Sequence, residues 1–345
     1  MASELRGKIN KSIKWTALVT VFNTTIQPIY RILLALLLLP TEYGYIAVIT
    51  LLVSFAELLN NVGIGEAIIQ RDNIDRQDLS TLFFFNLFIT ILISVLLFST
   101  SPFIYKFYEM ENLTIIIRTV TLIVFINGVT SIFKFYMHKN FLFKETSIIR
   151  VIKVTLEVVI SLILILIGYS IWGYIFAVII SNAVSGALLV VLAYKKTDLS
   201  LSLYFSINKL LRFLHFGIFV SMKKILTFFS QRVDEIIIGG TLSSDILGVY
   251  YLAKNLLLQI QSLISTSFNQ VLLPTFSKIK HDKERLKNLY LNLISILLFF
   301  GLPLFILIIL TAEYFVPLIF GKEWLGSVIV FQSLSLPVLC LLLSS

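Results

Sequence analysis

Ten apolar stretches, most of them twenty or more residues long, follow one another along the 345-residue chain, and nothing constrains its fold more. They span residues 13–39, 43–69, 79–105, 113–136, 148–168, 171–194, 209–238, 245–276, 286–312 and 324–345. A bilayer core about 30 Å thick takes roughly 20 residues of helix to cross. Backbone in hydrocarbon must satisfy its own hydrogen bonds, which leaves helices or closed barrels. The stretches lack the period-two alternation of a barrel strand, so helices are expected. Composition agrees: 58% of residues are hydrophobic and 14% charged, against about 45–50% and 25% in soluble domains. The chain reads as an all-α polytopic membrane protein with about ten transmembrane helices.

Several function classes fall away. Cys340 is the single cysteine, and His138, His215 and His281 are far apart, so neither a disulfide framework nor a metal-ligand set is expected. GIGEA (63–67) lacks the third glycine and the strand–helix setting of a dinucleotide site, and no other cofactor motif stands out. NLT (112–114) fits a glycosylation sequon by pattern only. An enzyme would be expected to carry its catalytic groups on sizeable loops, and these loops are short, so no catalytic residue is assigned. The opening residues, MASELRGKINKSIKW, do not form a signal peptide, because the apolar run that follows is too long for an h-region.

The net charge of +9 has a topological origin. With the N-terminus on the cytoplasmic side, eighteen of the 28 Lys and Arg residues fall in inside segments, and only Lys106 and Lys322 fall outside. That asymmetry fixes the expected orientation by the positive-inside rule and removes nucleic acid as a partner. The remaining eight lie within the spans. Arg118, Lys134 and Lys153 sit near helix ends, where a long side chain snorkels, and Glu157 stands four residues after Lys153, a spacing that permits an intrahelical pair.

The others are costly, since a Lys at a helix centre opposes insertion by roughly 3 kcal/mol while an Ile or Phe returns only about 0.3–0.6. Residues 213–238 carry Lys223 and Lys224 near the middle and Arg232, Asp234 and Glu235 further on. Lys223, Thr227 and Asp234 share a face there. Thr20, Asn23, Gln27 and Arg31 form a polar face on the first span, beside Pro28, and Ser54, Glu57 and Asn61 form one on the second. Tyr251, Asn255, Gln259, Ser262, Thr266 and Asn269 line the eighth, with Lys254 alongside. Spans 1, 2, 7 and 8 are therefore expected to border a wet cavity, and spans 3, 6 and 9 to face lipid. The competing reading of the amides is hydrogen-bonding between helices. For Glu57 it is a structural pair with a basic residue, and for Asp234 and Glu235 a pairing with Arg232.

Spans 1–2 and 7–8 also superimpose as an internal repeat. LPTEYGYIAV (39–48) matches LSSDILGVYYLA (242–253), which sets Gly44 on Gly248, and SPFIYKFYEMENL (101–113) resembles AEYFVPLIFGKEWL (312–325). Six spans separate the copies, an even number, so the repeats share an orientation. The division expected is an N-terminal lobe, 1–195, a cytoplasmic linker, 196–208, and a C-terminal lobe, 209–345, incomplete after four spans.

An ordered series of segments carries a family resemblance: VGIGEAIIQR (62–71), LSTLFFFNL (79–87), KNFLFKETSIIR (139–150), GYSIWGY (168–174), LRFLHFGIFV (211–220), VDEIIIGGTLSSDILGVYYLA (233–253), LLPTFSKIKHDKERLKNLY (272–290) and LIFGKEWLG (318–326). Together they resemble the Wzx-type polysaccharide flippases of the MOP (multidrug/oligosaccharidyl-lipid/polysaccharide) exporter superfamily. The resemblance implies two pseudo-repeated helical lobes of MOP/MATE-like fold with twelve or more helices, and hence a C-terminal truncation. It implies a bacterial inner-membrane exporter that moves an undecaprenyl-diphosphate-linked oligosaccharide for O-antigen, capsule or exopolysaccharide assembly. Its expected partners are the anionic lipid-linked substrate, membrane lipid, and polymerase and chain-length machinery. On that reading Arg31, Gln27, Asn23, Lys223, Lys224, Arg232, Lys254, Asn255 and Gln259 contact substrate, and Glu57 and Asp234 couple an ion. The alternatives are a multidrug or cation antiporter of the same superfamily, which would favour an acidic cavity, and a non-functional truncated homologue.

Overall fold

A computed structural model describes the backbone of residues 2–61, 63–71, 74–279 and 283–344, and side chains outside 2–14, 214–220, 266–279, 283 and 344. Thr266, Asn269, His215 and His281 therefore lie outside the described side chains. Among the described residues there are helices and no strands. Ten helices are long: α1 (Ala2–Leu37), α2 (Pro40–Asn60), α4 (Arg76–Tyr108), α5 (Leu113–Lys139), α6 (Phe143–Leu164), α7 (Ser170–Lys196), α8 (Ile207–Thr241), α9 (Ser244–Ile279), α10 (Lys283–Ile319) and α11 (Gly326–Ser344). A short α3 covers Ile64–Gln70. Among the described residues, six helical segments are long and apolar enough to cross a membrane, with α6 and α7 counted as one. Lys223, Lys224, Arg232, Asp234 and Glu235 keep the described part of α8 outside that group.

The second apolar stretch differs from expectation. It is not one continuous helix, because Gly63 takes a left-handed conformation (φ 69°) and ends the run between α2 and α3. A second left-handed glycine, Gly168 (φ 103°), turns the chain between α6 and α7. The start of α4 is set by side chains. Asp75 accepts from the Asp78 N–H at 2.5 Å, and the Asp78 carboxylate accepts from the Asp75 N–H at 3.2 Å, a reciprocal cap.

The helices group into two compact units that follow packing, where the lobe division at 196–208 follows the sequence repeat. One holds the chain up to Thr25 and Tyr45–Ser243; the other holds Ile26–Gly44 and everything from Ser244 onward. The division falls inside α1, just before Pro28.

In the first unit an apolar cluster joins α3, α4, α5 and the segment entering α8. Ile68, Leu82 and Met137 have no exposed surface in it, and Leu199, Leu210 and Phe213 are buried with them. Small residues let α4 and α5 approach, since a methyl group on Gly128 would collide with Thr90. Polar groups fasten the same place. The Asn86 amide donates to the Gly128 carbonyl at 2.7 Å, and the Thr90 hydroxyl lies 3.2 Å from Asn60 Oδ1. Opposite these contacts α4 exposes Phe88, Val95 and Phe103, as a face turned to lipid does.

In the second unit α9, α10 and α11 pack with the end of α1 and the start of α2. Trp324 and Phe305 are fully buried, whereas Phe299, Phe300 and Leu310 leave α10 with a broad apolar outer face. The starts of α2 and α9 cross main chain against main chain. A methyl on Gly44 would strike the Ser244 carbonyl oxygen, and one on Gly248 would strike the Pro40 carbonyl oxygen. Ser244 follows Pro40, and Gly248 follows Gly44, by the same 204 positions. The contact is thus reciprocal between the two sequence repeats.

The repeat recurs within each unit. Tyr45 donates its hydroxyl to the Glu111 carbonyl at 2.6 Å, and its counterpart Val249 lies beside Gly326.

Candidate functional site

The polar residues singled out from the sequence fall into two groups, one in each unit. In the second unit the group centres on Tyr43, which is buried. Its ring stands edge-on to Trp324 at 5.2 Å and tilted against Tyr251 at 6.3 Å, and its hydroxyl donates to the Arg31 carbonyl at 2.8 Å. This contact pins the last turns of α1. The Arg31 side chain is half-buried, and its Nη1 lies in the interior without a hydrogen-bond partner. Arg31 forms no ion pair with a described residue. Gln27, one turn earlier, is half-buried.

On α9, Tyr251, Asn255 and Gln259 repeat every four residues and share a face. Asn255 folds back to donate to the Tyr251 carbonyl at 2.8 Å. The Gln259 Oε1 is buried and, like Arg31 Nη1, has no hydrogen-bond partner. Lys254 reaches over the Tyr250 ring, 5.8 Å from its centre. A buried polar atom left unmatched costs about 1–3 kcal/mol, and more when charged. A cation edge and an amide oxygen held in that state suit a ligand that brings an acceptor and a donor.

The first unit arranges its charges differently. Lys224 on α8 is ion-paired with Glu66 on α3. Arg232 holds both carboxylate oxygens of Glu235, at 2.8 and 2.9 Å, and Glu235 is buried. That pairing matches the structural reading of Glu235. Asp234 is half-buried beside it, Lys223 is exposed, and Asn23 on α1 is half-buried. Glu57 is exposed on α2 and accepts from the Asn127 amide at 2.5 Å, so its partner is an amide on α5. Lys153 donates to Asn182 Oδ1 at 2.7 Å, across to α7. Arg118 reaches Ser101 Oγ at 3.2 Å with the Phe98 ring 4.8 Å away.

Arg31, Lys254, Asn255 and Gln259 therefore share one unit, while Lys223, Lys224, Arg232, Asp234 and Glu57 share the other. Sequence reading missed Tyr43 and Trp324 as parts of these groups, and it counted Glu66 among the charges of the cavity spans without finding its partner, Lys224. Tyr43 had a signal, lying next to the glycine that marks the repeat.

Comparison with known proteins identifies the chain's relatives. A family model described as "Polysaccharide biosynthesis protein" matches residues 33–329. The chain belongs to that family. Among relatives, the teichuronic acid biosynthesis protein TuaB of Bacillus subtilis is 26% identical over 95% of this chain and 68% of its own length. The lipopolysaccharide biosynthesis protein WzxC of Escherichia coli is 24% identical, over 96% of this chain and 67% of its own. The chain spans about two thirds of the length of these polysaccharide biosynthesis proteins. In fold it is similar to an inward-facing multidrug resistance MATE family transporter of the MOP superfamily, with a TM-score of 0.64, 16% identity, and coverage of 96% of this chain and 82% of that one. This family member thus has the MOP/MATE-like helical fold that its sequence implied, and it is a multi-pass membrane protein.

Proposed function

We propose that the chain serves as a flippase for polysaccharide assembly, carrying an undecaprenyl-diphosphate-linked oligosaccharide across the bacterial inner membrane with its N-terminus in the cytoplasm. The single observation that carries this reading is the Arg31 guanidinium, whose Nη1 is interior and lacks an acceptor. A diphosphate supplies strong acceptors, and guanidinium presents the fork that matches them. Gln27, Asn255 and Gln259 offer amides to sugar hydroxyls. Within the second unit Lys254 adds positive field; Lys223 and Asn23, in the first unit, are proposed as separate substrate contacts. Alternating access would present these faces first to one side of the membrane and then to the other. A polymerase and chain-length machinery would receive the product.

The second reading, a cation antiporter, has less to work with. Two of the carboxylates it would use are ion-paired, Glu66 with Lys224 and Glu235 with Arg232. Asp234 and Glu57 remain the proposed coupling carboxylates.

The test is ligand binding to the purified chain, followed by thermal shift and native mass spectrometry with undecaprenyl diphosphate and with undecaprenol. The diphosphate should bind and stabilise, and Arg31→Gln should weaken it about tenfold or more, the worth of a hydrogen bond to a charged group. Equal binding of the uncharged lipid, or an unchanged affinity in Arg31→Gln, would sink the assignment.

A further inference from the structure

The link between α7 and α8 is not a loose tether. Leu199, Leu210 and Phe213 bury themselves in the apolar cluster of the first unit. Arg76 donates to the Leu201 carbonyl at 3.3 Å, and the Ser202 N–H donates to Ser80 Oγ at 2.9 Å. On the far side Lys209 bonds Asp75 at 2.6 Å and Asp78 at 3.1 Å, and Arg71 donates to the Arg212 carbonyl at 2.7 Å.

Between these anchors the chain turns sharply, with the Tyr204 N–H on the Ser202 carbonyl at 2.8 Å, and projects apolar side chains outward. Leu203 is 97% exposed, and Tyr204, Phe205 and Ile207 are exposed with it. An apolar tip held rigidly outward is a costly arrangement in water. On either side of it in the chain, the last turns of α7, a helix long and apolar enough to span a membrane, expose Val191 and Tyr194, and α8 exposes Leu211. Lys195 and Arg212 flank the tip as exposed cations, against exposed Asp198. Aromatic and aliphatic groups bordered by cations are the composition of a segment lying in the headgroup layer.

We propose that Leu203–Ile207 is a membrane-insertion tip that seats in the headgroup layer of an anionic leaflet. The occupant of this face is lipid, because an apolar and aromatic tip lies between two helices of a multi-pass membrane protein and the exposed cations Lys195 and Arg212 bracket it in the chain. Juxtamembrane cations add attraction to anionic lipid, about fivefold in occupancy for each charge near the surface.

The test uses the whole chain in nanodiscs of phosphatidylcholine, with and without phosphatidylglycerol. An environment-sensitive fluorophore is placed at Leu203→Cys in a Cys340→Ser background, with Phe205→Cys as a second site and Asp198→Cys as the water reference. Both tip labels should shift to the blue and be quenched by lipids carrying a shallow spin label, more so with phosphatidylglycerol. Lys195→Ala combined with Arg212→Ala should remove most of the phosphatidylglycerol dependence. Emission at both tip sites matching the Asp198 reference in every lipid would overturn the proposal. So would a blue shift without lipid quenching, the outcome expected if protein covers the tip.

Discussion

At the scale of single residues, charge in this protein is mostly answered locally. Lys224 and Glu66 illustrate the consequence for mutagenesis. Removing Lys224 leaves a carboxylate with one buried oxygen, so Lys224→Met should lower thermal stability by about 1–3 kcal/mol. Glu66→Gln in the same chain should restore much of it. A thermal-melt double-mutant cycle checks this, with a coupling energy of about 0.5–3 kcal/mol expected and independent effects as the contrary result.

Asp75 gives a pH-dependent case outside the spans. The Lys209 side chain hydrogen-bonds it, the Asp78 N–H adds a further bond, and the carboxyl is held below its ordinary value of 3.8. A depressed carboxyl stabilises the folded state above that ordinary value, and the contribution is lost as pH falls through the folded value. Protease nicking of the 197–206 segment should therefore rise on acidification below about pH 4. Asp75→Ala should raise it already at neutral pH, through loss of a cap worth about 1 kcal/mol.

The sequence showed which residues were out of place in hydrocarbon and did not show their partners. Glu66 and Lys224 lie 158 positions apart. Periodicity along one helix carries no information about which face of another helix meets it. Arg232 and Glu235 were legible because their partnership is local, one helical turn apart.

At the scale of elements, the repeat was readable and its physical meaning was not. Gly44 and Gly248 appeared as matching marks in two linkers; in the fold they are the points where α2 and α9 touch main chain to main chain. Gly44→Ala or Gly248→Ala should each destabilise the chain by about 1–3 kcal/mol, the typical cost of overpacking. The double variant should cost less than the sum, since both changes open one crossing. Melting temperatures of the four proteins test this; strictly additive shifts would mean the two contacts yield independently. The break at Gly63 has a mark in Asn60, Asn61 and Gly65 around it, but an average over the apolar run 43–69 conceals it and a glycine in sequence does not reveal its φ.

At the scale of the whole molecule, apolar run lengths made the helical class plain, since hydrocarbon leaves the backbone few choices. The compact units were harder to foresee, because a long helix such as α1 contributes each half to a different neighbourhood. The proposed orientation has a direct check. The 109–112 turn precedes α5, three helices before the linker that follows α7, so the two segments should lie on opposite sides. In intact cells, in a Cys340→Ser background, a membrane-impermeant maleimide should label Glu111→Cys and should reach Asp198→Cys only after permeabilisation. The opposite pattern would invert the topology.

The reciprocal crossing of α2 and α9 constrains how this protein can change over time. Where side chains collide, a shrinking substitution on one partner makes room for a growing one on the other, and the two positions drift together. At Gly44 and Gly248 the obstructing atoms are the carbonyl oxygens of Ser244 and Pro40, which no change of residue type removes. No compensating partner exists, so both sites should stay glycine across descendants. Methods that infer contacts from correlated substitution will find no signal at this crossing, because neither position varies.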